Sequence, residues 1–231
     1  MKLSGRSESR MGLLEAWPGS VQRRVRPENV SCPAANLPDP TLSQDEIVSA
    51  IQGADEEAID LARGAEESLD RELTRARDGE PVDAEFDTIL QEEFGLTLTN
   101  RSHFGRIRQQ RNRYRRVRET LESGYLKYLC PGERTVSLIG CGPDAPCRGD
   151  QSAGASCPGN RMVILCGPFW FDESVRSETI LHEPFHIWFT MARHAANQPR
   201  LADVFCFDAF AFRVAGIPEP QGRTCVDKPA G

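Results

Sequence analysis

His182-Glu183-Pro184-Phe185-His186 is the segment whose residue types and spacing point most directly to chemistry. On a helix, positions i and i+4 share a face, so two imidazoles at this spacing can bind one metal ion. A glutamate directly after the first histidine lies beside the ion's open position. There it can take a proton from water whose pKa the ion has lowered to about 7. The expected cofactor is zinc, with His182 and His186 as ligands and Glu183 as general base. The competing reading of the same motif is a core helix with two hydrogen-bonded histidines. The neighbours Ile180, Leu181, Phe185, Ile187, Trp188 and Phe189 would bury the helix, exclude water and stiffen the ligands. Pro184 lacks an amide and fits best near a helix start.

A third ligand is less defined. An extended HExxHxxGxxH motif needs glycine at 189 and histidine at 192, whereas the chain has Phe189 and Ala192, which disfavours a metzincin. The candidates are His194, Asp203, Asp208 and Glu219. His194 follows the helix closely. Asp203 and Asp208 lie in the aromatic run Leu201–Phe212, and a buried carboxylate there needs a metal, a cation or a donor. Glu219, between Pro218 and Pro220, is expected to face solvent.

The elements that must position these groups follow from the hydrophobic pattern. Ser43 and Glu46 form a capping box. Behind it Ile47, Ile51, Ala54, Ala58, Ala62, Ala65, Leu69 and Leu73 make one helical stripe, stopped at Asp78-Gly79-Glu80-Pro81. A shorter helix carries Phe86, Ile89, Leu90 and Phe94 and stops at Gly95. A third carries Phe104, Ile107, Tyr114, Val117, Leu121, Tyr125 and Tyr128. Thr135–Ile139 and Met162–Leu165 read as strands around a cysteine-rich loop, and the second as an edge on which an extended substrate could pair. Helices over Ile180–Met191 and Leu201–Ala215 complete an α+β fold, mostly helical, with a small antiparallel β-sheet preceding the HExxH helix. Residues 1–40, rich in proline, read as an extended arm, and 41–231 as the metallopeptidase domain.

Composition narrows the class. The chain has 231 residues with 28 basic and 34 acidic side chains, a net charge of −6, which opposes a globally basic nucleic-acid binder. No run approaches the ~18–20 apolar residues of a membrane span. Eight cysteines with no CxxC pair, four of them between Cys141 and Cys166, read as disulfides of an oxidising compartment and hence a secreted protein. Cys32 is expected to pin the arm. The start, Met1 to Arg6, has no apolar stretch of a signal peptide. Eight arginines between Arg101 and Arg118 could touch phosphates, but they fit better as a solvated face pairing with the acidic stretch Asp55 to Glu85.

With the motif and its flanks in view, the chain resembles the deuterolysin and peptidyl-lysine metalloendopeptidase family, the aspzincins, and more closely their bacterial relatives. The likeness lies in the Ala-rich helix Ala58–Leu73 and in Phe94-Gly95 before a basic helix leading to Tyr125 and Cys130. It continues through Ile164-Leu165-Cys166-Gly167-Pro168-Phe169-Trp170, which runs into HExxH. The last part is Cys206-Phe207-Asp208-Ala209-Phe210-Ala211, which resembles the family's Asn-Ala-Asp-x-Tyr-x-x-Phe-Ala helix. The resemblance implies a zinc endopeptidase acting on a peptide or protein substrate; the chain itself is expected to be a monomer. The family's Gly-Thr-x-Asp-x-x-Tyr-Gly segment is echoed only by Thr190, and no tyrosine follows Tyr128. His194 falls close to the family's aspartate ligand. The resemblance thus favours His194 as third ligand, then Asp203, and leaves Arg193 or His194 to stabilise the oxyanion. Asp208 falls where lysine-specific members carry an acidic S1′ residue, which implies a preference for basic P1′ residues. The rival expectations are a catalytically silent zincin-like binding or toxin module and an Arg-rich nucleic-acid-binding protein.

Overall fold

The computed structural model describes residues 25–130, 147, 153–189, 198–220, 225 and 228–229. The strand expected at Thr135–Ile139, and Thr190, Arg193 and His194, lie outside the described residues.

Helix α1 (Gln44–Asp78) begins as its capping box requires. The Glu46 amide donates to Ser43 Oγ at 3.3 Å, and the Ser43 amide donates to the Glu46 carboxylate at 2.8 Å. Gly79, at φ 79°, closes it in the left-handed conformation that glycine adopts without strain. All eight residues of the apolar stripe are buried. Helix α2 (Ala84–Phe94) is capped by Asp83 and ends at Gly95. Helix α3 (Phe104–Glu122) packs along α1. Arg115 and Arg118 reach the Glu66 carboxylate at 2.7 and 2.8 Å, and Arg111 pairs with Asp70, so part of the arginine face meets α1's acidic side chains. The arginines of these pairs stay partly exposed, so the pairs add little beside the buried apolar stripe, which carries this packing.

Helix α3 stops earlier than its stripe suggests. Gly124, at φ 63°, turns the chain, and Tyr128 enters a strand instead. Four short strands, β1 (Val30–Ser31), β2 (Lys127–Leu129), β3 (Gly154–Ser156) and β4 (Met162–Leu165), form one sheet in the order β1-β2-β4-β3. The sheet is mixed rather than antiparallel throughout: β1/β2 and β2/β4 are parallel and only β3/β4 is antiparallel. β4 is therefore interior, paired on both sides, and among the described residues β3 is the outermost strand on that side. The described part of the arm contributes β1 and is fixed by the Cys32–Cys130 disulfide.

Helix α4 (Gly167–Phe171) and a 3-10 turn lead into α5 (Arg176–Trp188), which carries HExxH; α6 (Val204–Val214) packs against it. Pro184 lies inside α5 rather than at its start, so Ile180's carbonyl has no amide at 184 to accept from. Behind α5, Phe185 meets Tyr114 of α3 and Phe207 of α6 with ring centroids 5.5 and 4.6 Å apart. The Tyr114 hydroxyl donates to the Phe207 carbonyl at 2.6 Å. This aromatic core fixes α5 against α3 and α6. Cys147–Cys166 and Cys206–Cys225 are further disulfides, and Cys157 is disulfide-bonded. The architecture is α+β, mostly helical with a small sheet. No helix among the described residues is long and apolar enough to cross a membrane.

Candidate metal centre

The two motif histidines converge as their spacing requires. His182 and His186 sit one turn apart on α5, with Nε2 atoms 3.1 Å apart. His182 is 8% exposed and His186 half-buried. Nitrogens at that separation can both lie at the ~2.0–2.1 Å zinc–imidazole distance from a single ion.

Behind His182 stands Asp208 of α6, fully buried, with Oδ2 2.5 Å from His182 Nδ1. An Nδ1–H donated to this carboxylate leaves the Nε2 lone pair facing His186, the tautomer a metal ligand needs. Asp208 was expected as a substrate-pocket residue. In the structure its carboxylate is bonded to the His182 ring, where it could position that imidazole. The sequence held half the signal: a buried carboxylate needs a partner. No spacing rule joins positions 26 apart on two helices. Replacing Asp208 with Asn is expected to weaken zinc binding about 10–100-fold, the usual effect of losing such an outer carboxylate. Competition against a chromophoric chelator measures this, and unchanged affinity would contradict the role.

Glu183 points to the sheet side. Ser156 of β3 donates from Oγ to Glu183 Oε2 at 2.6 Å, with the Glu183 carbonyl 3.0 Å away. Burial pushes the Glu183 carboxyl up to about 7, against the Ser156 hydrogen bond, which lowers it; the Asp208 charge raises it further. Ser156 was not recognised from sequence, since a lone serine in a loop-like stretch carries no spacing signal.

The other candidates for the third ligand are placed as follows. Asp203, fully buried, caps α6: one oxygen accepts from the Phe205 amide at 3.1 Å and the other pairs with Lys228 Nζ. Its carboxylate is engaged as cap and ion pair. Glu219 is half-buried rather than solvent-facing. His194 lies outside the described residues. Among the described residues no three His, Cys, Asp or Glu side chains form a metal-binding group. The two tyrosines nearest the core are committed elsewhere: Tyr114 to the Phe207 carbonyl and Tyr128 to Asp55. The donor set fits zinc in two imidazoles with a carboxylate behind one of them.

No family model, curated protein or solved structure matches this chain.

Proposed function

We propose that this chain is a zinc-dependent endopeptidase. The observation that carries the reading is the pair of Nε2 atoms 3.1 Å apart, with Asp208 fixing one ring and Glu183 adjacent in sequence. His182 and His186 would hold the ion, with His194 as the third ligand. When bound, zinc supplies Lewis acidity and a water acidic enough to ionise near neutral pH.

The chain's own groups do the remaining work. Asp208 keeps His182 in one tautomer and orientation. Glu183, whose surroundings place its carboxyl near neutrality, accepts a proton at its carboxylate from the attacking water and returns it to the leaving amine. A basic P1′ preference loses its main support, because Asp208 is engaged with His182. The disulfides fit a protein that works outside the reducing cytosol.

A second reading, a zinc-binding module that recognises a partner without cleaving it, draws on Pro184 in the interior of the motif helix. Cleavage of an unfolded protein that stops on chelation and returns with added zinc supports the peptidase. Cleavage that persists in chelator contradicts it, and stoichiometric zinc binding with no hydrolysis favours the second reading.

A further inference from the structure

Strand β3 is three residues long, and two of them touch the general base. Successive strand residues alternate between faces, so Gly154 and Ser156 share one face and Ala155 takes the other. That shared face meets α5. Ser156 Oγ bonds the Glu183 carboxylate at 2.6 Å. At Gly154 a β-carbon would stand 2.6 Å from Thr179 Cγ2 and 2.9 Å from Glu183 Oε1. Real β-carbons do not approach other atoms so closely, so any side chain at 154 must displace the strand, the Thr179 methyl or the carboxylate. Small residues are poor strand formers, and their presence here follows from this close approach.

The strand itself is held firmly. Gly154 is registered on Leu165 and Ser156 on Val163 of β4. The Cys147–Cys166 disulfide spans the segment, and disulfide-bonded Cys157 follows Ser156 directly.

We propose that Gly154 and Ser156 form a cradle that positions Glu183 for its role as base. Gly154 provides the space for the carboxylate and Ser156 fixes its direction. The inference rests on the endopeptidase reading. Both are positioning residues, because they act through Glu183.

The test joins kinetics with a measurement that needs no activity. In the metal-free protein, thermal midpoints of Ser156→Ala, Glu183→Ala and the double variant should be non-additive, since the two side chains share a hydrogen bond. In the zinc-loaded protein, Ser156→Ala should lower kcat about 10–100-fold with KM and zinc affinity unchanged, as expected when a base is misplaced. Ser156→Thr, which keeps the hydroxyl, should recover most of the loss, and Gly154→Ala should lower kcat as well. Additive midpoints overturn the proposal whatever the chain catalyses. Non-additive midpoints with wild-type kcat in Ser156→Ala overturn the positioning role. Non-additive midpoints in a zinc-loaded wild type that cleaves nothing overturn the endopeptidase reading, and the role with it.

Discussion

Glu183→Gln is expected to bind zinc with wild-type affinity and to lose cleavage by about 10²–10⁴-fold, the range for removing a positioned acid–base group. The substitution is close to isosteric, and the amide oxygen can still accept from Ser156 Oγ, which lies 2.6 Å from the native carboxylate. His182, His186 and Asp208 are untouched, so the proposed ion site is preserved. What disappears is the capacity to take a proton. The drop should therefore appear in kcat, with KM little changed, because the loss falls on the transition state. Isothermal titration with zinc beside steady-state kinetics reads both halves. A variant that cleaves like wild type would remove Glu183 from the mechanism. One that no longer binds zinc would show the residue to be structural instead.

Asp55→Asn should stabilise the protein strongly above neutral pH and hardly at all in acid. Asp55 lies on α1, 4% exposed, and accepts from the Tyr128 hydroxyl at 2.6 Å. It lines a small cleft with Val25, Arg26 and Asn29 of the arm and Leu121, Gly124 and Leu126. None of these residues comes from α5 or α6. Burial pushes its carboxyl from 3.8 up to about 7, with the Tyr128 hydrogen bond opposing the rise and Glu56 adding to it. Below about pH 4 both folded and unfolded chains hold the proton, and the group costs nothing. As pH rises, the unfolded chain ionises first while the folded one keeps its proton. Stability falls until the folded carboxyl ionises near pH 7, and then levels. A rise of about three pK units, at 1.36 kcal/mol each, sets the loss at about 4 kcal/mol. Asparagine removes the titration and keeps an oxygen for Tyr128. Urea unfolding of both proteins at pH 4 and pH 8 should show a difference that opens with pH. A gap of equal size at both values would contradict the account.

Features of the fold that were legible in the sequence are those fixed by local chemistry. Ser43 with Glu46 marks the start of α1, and Gly79 and Gly95 mark the ends of α1 and α2, because caps and left-handed glycines act within a few residues. Tyr125 and Tyr128 fell on the helical stripe of α3 by coincidence, and Gly124 ends that helix before either. β1 and β3 were not legible. A strand of two or three residues shows no period, and its partner lies far away: Val30 pairs with Tyr128. In β3 the small residues demanded by the approach to α5 hide the strand signal. The site divides in the same way. His182, Glu183 and His186 are a local pattern on one helix. Asp208 and Ser156 gain their roles only when α6 and β3 are packed against it.

The claim that the histidine pair is the zinc site of a peptidase is tested most directly by mapping cleavage. An unfolded mixed-sequence protein is incubated with zinc and either the wild type or His186→Ala, and the products are sequenced by mass spectrometry. Discrete internal cuts by the wild type are expected, lost in chelator and absent with His186→Ala. The residues after the cuts should show no uniform Lys or Arg preference, given that Asp208 stands behind His182. Equal cutting by both proteins would contradict the account.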